Sequence, residues 1–313
     1  MTEAGVSNGV VLVVGMTRSG TTLTTQLLSL HPDVHVELEP QMLWKSGSFR
    51  HLADDRFASD RRSVAWIREQ LLRRAGGRVL VEKSPSNSVR AGLVHLVFPE
   101  ARVVHVERDP VRCVYANYLK SRAGIALDPK VVVGKYLRPT TTRARRVAAA
   151  RNPARHIAPR ATRSVFDQIR GSDWPAFVAY TARLLWLRNM RHRLPFGPKI
   201  TGFAGIIAHE GLLAYHAQAL AASHREVAAF SRYYGDRLSR FSLEQLVADA
   251  AETERLFAAA GIDVPRDLRD HVSIEFDNEL SRGADPGPKE AAEIEAALGR
   301  AGYPGFEPRP APG

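Results

Sequence analysis

Cysteine is almost missing: Cys113 stands alone in 313 residues. A single thiol excludes an intramolecular disulfide and a multi-cysteine metal site, so a disulfide-stapled secreted scaffold is not expected. Lysine is scarce as well, with seven among 44 basic residues, the rest being arginine. Long apolar runs are also lacking. The clearest one, Val10–Val14, is far shorter than the roughly 20 residues a membrane-spanning helix needs. The stretch Met1–Gly9 carries no basic residue, so no secretory leader is expected and the cytoplasm is the expected location. What remains, 44% hydrophobic and 25% charged, is ordinary for a folded soluble chain of one or two domains.

Charge is less ordinary. The 44 Lys and Arg outnumber the 33 Asp and Glu, for a formal net charge of +11. Such a balance points to an anionic partner such as nucleic acid, a phosphate-bearing ligand or an acidic membrane, although arginine-rich genome composition produces the same count. The excess is local. Residues 123–200 hold 16 basic and three acidic side chains, which leaves −2 over the remaining 235 residues. That segment has two readings: a solvated, compositionally biased helical region, or a lid or acceptor platform over an anionic ligand, with peripheral membrane contact as one of its uses.

Alternation of strand and helix signals sets the fold class. Val10–Val14 is a continuous β-branched run, the mark of a strand buried on both faces. Gly15 and Gly20 follow, and then Leu23, Leu27, Leu28 and Leu30 at helical spacing. Further strands are predicted at Arg78–Glu82 and Ala101–Glu107, with a helical pattern over Ser86–Phe98 between them. Pro110 opens the next helix, to Arg122. The expectation is an α/β protein, three-layer α/β/α around a central parallel sheet, with a helical C-terminal part. Trp174, Phe177, Val178, Thr181 and Leu185 mark one later helix, and residues 207–234 a longer one. A short strand is expected at Arg237–Ser242, and helices at Leu243–Val247 and Ala251–Ala260 with Gly261 as cap. The parts are read as a single domain over 1–303: a core at 10–122, the Arg-rich segment at 123–200 and helices at 201–303. The proline-rich 304–313 is read as a disordered tail.

The loop after the first strand is the most informative segment. Gly15-Met-Thr-Arg-Ser-Gly-Thr-Thr22 has the outline of a phosphate cradle between a buried strand and a helix. Thr21 occupies the place of the lysine that reaches the outer phosphates in nucleotide hydrolases, and the loop's cation is Arg18 instead. The loop therefore suits a phosphate-like group more than ordinary NTP hydrolysis.

On these residues the chain resembles the sulfotransferases that use 3′-phosphoadenosine-5′-phosphosulfate, with motif spacing similar to the protein-tyrosine and carbohydrate branch. GMTRSGTTLTTQLLSLHPDV resembles that family's 5′-phosphosulfate loop. EKSPSN and FPEARVVHVERDPVRCVYANYLKSR (Phe98–Arg122) resemble its second strand end and 3′-phosphate-binding strand and helix, and Phe241–Pro265 is a weaker third match. Together they cover about half the chain. The resemblance implies a P-loop-like sulfotransferase fold, the phosphosulfate as donor, no metal, and a small-molecule, carbohydrate or glycolipid acceptor.

Roles follow by resemblance. Arg18, Ser19, Gly20, Thr21 and Thr22 would hold the 5′-phosphosulfate, and Arg108 the 3′-phosphate. Lys83 would stabilise the leaving group, and Arg18 would share in charge stabilisation at the reacting centre. Glu39 falls at the position of the family's catalytic glutamate. Burial near Leu38, Met42 and Trp44 is expected to raise its pKa. Glu37, which shares Glu39's face on an extended segment, and His35 are the rival bases. Ala116 replaces a serine that contacts the 3′-phosphate in the family, and Lys120, one turn on, is the expected substitute, with Asn117 and Ser121 as neighbours. Competing readings are a non-enzymatic anion- or nucleic-acid-binding protein, for which no aromatic–basic platform speaks, and a P-loop kinase or NTPase.

Overall fold

The structure, a computed structural model, describes residues 9–123, 165–189, 194–265 and 285–307. Most of the Arg-rich segment, including Arg143, Arg145, Arg146, Arg151 and Arg155, lies outside the described residues. So does the tail from position 308.

Five parallel strands form one sheet in the order β2-β3-β1-β4-β5. They are β1 (Val10–Val14), β2 (Val34–Leu38), β3 (Val79–Lys83), β4 (Arg102–Glu107) and β5 (Leu238–Ser242). The helices are α1 (Thr21–Leu28), α2 (Gln41–Trp44), α3 (Arg61–Ala75), α4 (Ala91–Val97), α5 (Pro110–Arg122), α6 (Trp174–Asn189), α7 (Phe203–Tyr234), α8 (Leu243–Ala248), α9 (Ala250–Ala260) and α10 (Pro288–Arg300). The expected α/β/α layering is present. On one face, Leu12, Leu80 and Val103 pack against Ile67 and Leu71 of α3, Leu93 and Val97 of α4, and Phe230 of α7. On the other, Val11, Val13, Val81 and Val104 pack against Leu27 and Leu28 of α1 and Leu256 and Phe257 of α9. With apolar cover on both sides, the inner strands read as unbroken Val and Leu runs.

Several local expectations shift. The Ser86–Phe98 pattern splits into a 3-10 turn (Pro85–Val89) and α4, because Arg90 is extended at φ −153°. Helix α1 stops at Leu28, and Leu30 lies beyond it, partly exposed. Helix α6 packs Trp174 and Phe177 of the expected stripe, with Tyr180 and Leu184, in one cluster with Phe49, and leaves Val178 and Leu185 in solvent, so only part of that stripe is its core face. Helix α7 bends at Gly211, whose φ of 88° breaks the helical path. Strand β2 and helix α3 were not among the expected elements. Among the described residues, no helix is long and apolar enough to cross a membrane.

Candidate functional site

Strand β1 delivers the loop Gly15–Gly20 to the carboxyl end of the sheet, the edge where open α/β proteins bind ligands. Gly15 sits at φ 154°, and an added Cβ would run into the Val106 carbonyl oxygen and lie 2.8 Å from Ser19 Oγ. Arg18 takes a left-handed φ of 70°. Gly20, at φ 97°, opens α1 with no side chain capping its first N–H groups. A helix start of this kind satisfies its amides with an external acceptor. The loop is fixed from behind. Asn117 Nδ2 donates to the Thr17 carbonyl at 2.7 Å, and Thr17 Oγ1 donates to Asn117 Oδ1 at 2.5 Å. Leu243 of α8 closes over Gly20. Gly15→Ala should therefore cost about 1–3 kcal/mol, through a strained φ and a backbone clash, and lower the thermal midpoint by several degrees in a circular dichroism melt. An unchanged midpoint would show that the loop relaxes freely.

Glu39, Lys83 and Thr22 meet above this loop. Register pairs Leu38 of β2 with Lys83 of β3, which brings Glu39 beside the end of β3. The Glu39 amide donates to the Lys83 carbonyl at 2.7 Å. Lys83, only 2% exposed, directs Nζ to Glu39 Oε1 at 2.8 Å and to Thr22 Oγ1 at 3.1 Å. Glu39 adopts φ 52°, which turns its carboxylate out of the strand's alternation. Glu37 consequently does not share its face. Glu37 is buried on the α3 side, 3.5 Å from Arg74 Nη1, with His35 Nε2 at 3.0 Å. His35 is further engaged by Arg78 at 2.8 Å. Both rival bases thus belong to a network under α3, away from Thr22. Glu82 is no partner for Lys83 either, since it points to the opposite face of β3, where Trp44, Ser84 and Asn87 hold it.

Arg108 ends β4 and is buried. One Nη donates to the Arg18 carbonyl at 3.3 Å, which ties the base of α5 to the loop. Neither acid beside it takes up its charge. Asp109 caps α5 through the Arg112 amide at 2.8 Å, and Glu107 lies 3.1 Å from His105. Arg18 Nε, Ser19 Oγ and Arg108 Nε are all buried without a hydrogen-bond partner among the described residues. Buried donors in want of acceptors fit an anionic ligand. Ala116 is buried on α5. Lys120 is half-buried one turn along and makes no ion pair with another described residue. Asn117 and Ser121 do not offer themselves to a phosphate. Asn117 latches the loop, and Ser121 is hydrogen-bonded to His216 at 2.7 Å and accepts from the Phe196 amide at 2.9 Å.

Sequence reasoning missed a small cleft lined by residues that follow Glu39 and Lys83 in the chain. Gln41 and Met42, which follow Glu39, line it together with Ser86, which follows Lys83, and with Tyr180 and Lys199. Asp54 pins the 197–199 stretch here, accepting from the Lys199 amide at 2.8 Å. Burial opposes its charge, yet Lys45, Lys199 and Arg90 hold its carboxyl below the usual range. No spacing rule links positions 41, 86, 180 and 199, so only tertiary structure assembles them. Among the described residues, no cluster of His, Cys, Asp and Glu could hold a metal ion.

Residues 11–159 match the model of a family described as the sulfotransferase family. The human heparan sulfate glucosamine 3-O-sulfotransferase 6 is 29% identical over 113 residues, covering 35% of this chain and 30% of that protein. The nodulation protein NoeE of Sinorhizobium fredii is 29% identical over 136 residues, covering 37% of this chain and 32% of that protein. The match thus spans about a third of these relatives. A solved sulfotransferase domain from the Synechococcus PCC 7002 olefin synthase is similar at 15% identity and a TM-score of 0.42, covering 92% of this chain and 93% of that one.

Proposed function

Because residues 11–159 match the model of the sulfotransferase family, we propose that the chain is a sulfotransferase that moves a sulfuryl group from 3′-phosphoadenosine-5′-phosphosulfate to a hydroxyl of a carbohydrate, glycolipid or small metabolite. The observation that carries this reading is the meeting of Glu39, Lys83 and Thr22 beside the uncapped start of α1. A carbohydrate is favoured among acceptors, in line with the glucosamine in the human relative's name.

When bound, the phosphosulfate supplies the sulfuryl group, whose bond to the bridging oxygen breaks as a bond to the acceptor oxygen forms. Ser19, Gly20, Thr21 and Thr22 offer backbone and hydroxyl donors at the α1 start, and Arg18 a guanidinium, to the 5′ end. Arg108 would bind the 3′-phosphate, with Lys120 within the same helix to supplement it in place of the family's serine at Ala116. Glu39 accepts the acceptor's hydroxyl proton. Lys83, already shared between Glu39 and Thr22, places positive charge where negative charge develops on the leaving oxygen. The acceptor would approach from the side of Gln41, Met42 and Ser86, which follow Glu39 and Lys83 along the chain.

The donor assignment is tested by ligand linkage. At 100-fold the dissociation constant, 3′-phosphoadenosine-5′-phosphate should stabilise the fold by about 2.7 kcal/mol and raise the melting temperature by several degrees, while ATP with Mg²⁺ leaves it almost unchanged. Arg18→Ala and Arg108→Ala should each abolish the rise. No shift at millimolar nucleotide would overturn the donor.

A further inference from the structure

Glu82 is fully buried on the face of β3 opposite Lys83 and has no access to a reacting atom. Its surroundings consist of donors. Trp44 Nε1 donates to Oε1 at 2.8 Å, Ser84 Oγ to the same oxygen at 2.6 Å, and Asn87 Nδ2 to Oε2 at 2.9 Å. These donors come from two separate stretches. Trp44 ends α2, which begins two residues after Glu39. Ser84 and Asn87 belong to the turn that follows Lys83 directly. One carboxylate therefore joins the chain leaving Glu39 to the chain leaving Lys83. Trp44 itself is completely buried, with the Arg90 guanidinium 5.5 Å from its ring centroid and Phe98 edge-on at 6.5 Å.

We propose that Glu82 is a positioning residue that sets the Glu39–Lys83 geometry by clamping α2 to the turn after β3. The chemistry of the donors favours a carboxylate. An indole N–H only donates. Asn87 already uses Oδ1 to accept from Arg90 Nε at 2.9 Å, so its Nδ2 must face Glu82. A glutamine at position 82 would turn an NH₂ group against one of these donors. A protonated Glu82 loses part of this pattern, because only Ser84 Oγ, which can accept as well as donate, could take its hydroxyl hydrogen, and the Ser84 donor bond is then given up. Burial, opposed by the hydrogen bonds from Ser84 and Trp44 and by Arg90, pushes the Glu82 carboxyl up to about 7. The charged neighbour facing it is Arg90 at the head of α4, which itself feels Asp54 and Tyr180.

The role in catalysis rests on the sulfotransfer reading of Glu39 and Lys83, so the test reads the geometry without activity. Lysines are labelled by reductive methylation of the full chain well below its melting temperature, and Lys83 is quantified by peptide mass spectrometry against exposed Lys289. In the wild type, Lys83 should react slowly, since labelling requires local opening of the Glu39–Lys83–Thr22 cluster. In Glu82→Gln, the Lys83/Lys289 ratio should rise about tenfold. In the wild type the ratio should also climb as pH falls through about 7, where Glu82 takes up a proton, and in Glu82→Gln that climb should vanish. Trp44→Phe removes one donor and leaves the carboxylate. It should raise the ratio less, and it decides the matter if Glu82→Gln fails to fold. A lower melting temperature with an unchanged ratio would overturn the proposal by making Glu82 a stabilising residue only. A raised ratio in a chain that neither binds the nucleotide nor transfers sulfate would leave the clamp standing and sink the sulfotransfer reading instead.

Discussion

Glu39→Gln should lower turnover by on the order of 10²–10⁴ while leaving the nucleotide-induced rise in melting temperature intact. The substitution is close to isosteric. The backbone bond from Glu39 to the Lys83 carbonyl does not depend on the side chain, and the glutamine oxygen can still accept from Lys83 Nζ. What disappears is the ability to take a proton from the acceptor hydroxyl. Single-turnover transfer of labelled sulfate to an acceptor pool measures the loss of turnover, and melting curves with and without nucleotide measure the retained binding. A variant with full activity would remove Glu39 as the base. Glu37 could not readily replace it, because Arg74 and His35 hold that carboxylate under α3.

This arrangement marks where the sequence stops being legible. The loop from Gly15 to Thr22 could be read because its strand is apolar on both faces and its glycines stand at fixed places around Arg18 and Ser19. Lys83 and Arg108 could be read for a similar reason, since each ends a Val-rich strand and so projects from the carboxyl edge of the sheet. Strand β2 was hidden. His35 and Glu37 alternate with Val34, Val36 and Leu38, as on a strand with one face in water, and the burial of that polar face makes sense only once Arg74 and Arg78, some forty residues away, are in place. Period-two reasoning then put Glu37 and Glu39 on one face. A single left-handed residue, Glu39 itself at φ 52°, breaks that parity and sends the two carboxylates to different sides. The Thr17–Asn117 latch spans 100 positions and has no local signature. Asn117 was considered only as a phosphate ligand, whereas its amide is spent on the loop.

Lys83→Met should cost on the order of 10²–10³ in turnover, the scale on which removal of one donor aimed at developing charge is felt. Methionine keeps the length of the side chain and loses the ammonium. The fold should tolerate the exchange, because a lysine that is 2% exposed is costly to desolvate and the carboxylate it leaves behind is 25% exposed to water. Lys83→Arg should not rescue activity. A planar guanidinium is larger than the ammonium that fits between Glu39 Oε1 and Thr22 Oγ1, and it directs its hydrogen bonds in a rigid fork. The double variant Glu39→Gln/Lys83→Met separates two mechanisms. If base and cation act as one preorganised unit, its turnover should fall little below that of the worse single variant, since losing either function already stops the step the other assists. Independent action would instead multiply the two losses, to on the order of 10⁴ or more. Fully additive losses would mean that the 2.8 Å contact between Lys83 and Glu39 belongs to the resting enzyme and plays no part in the transfer step.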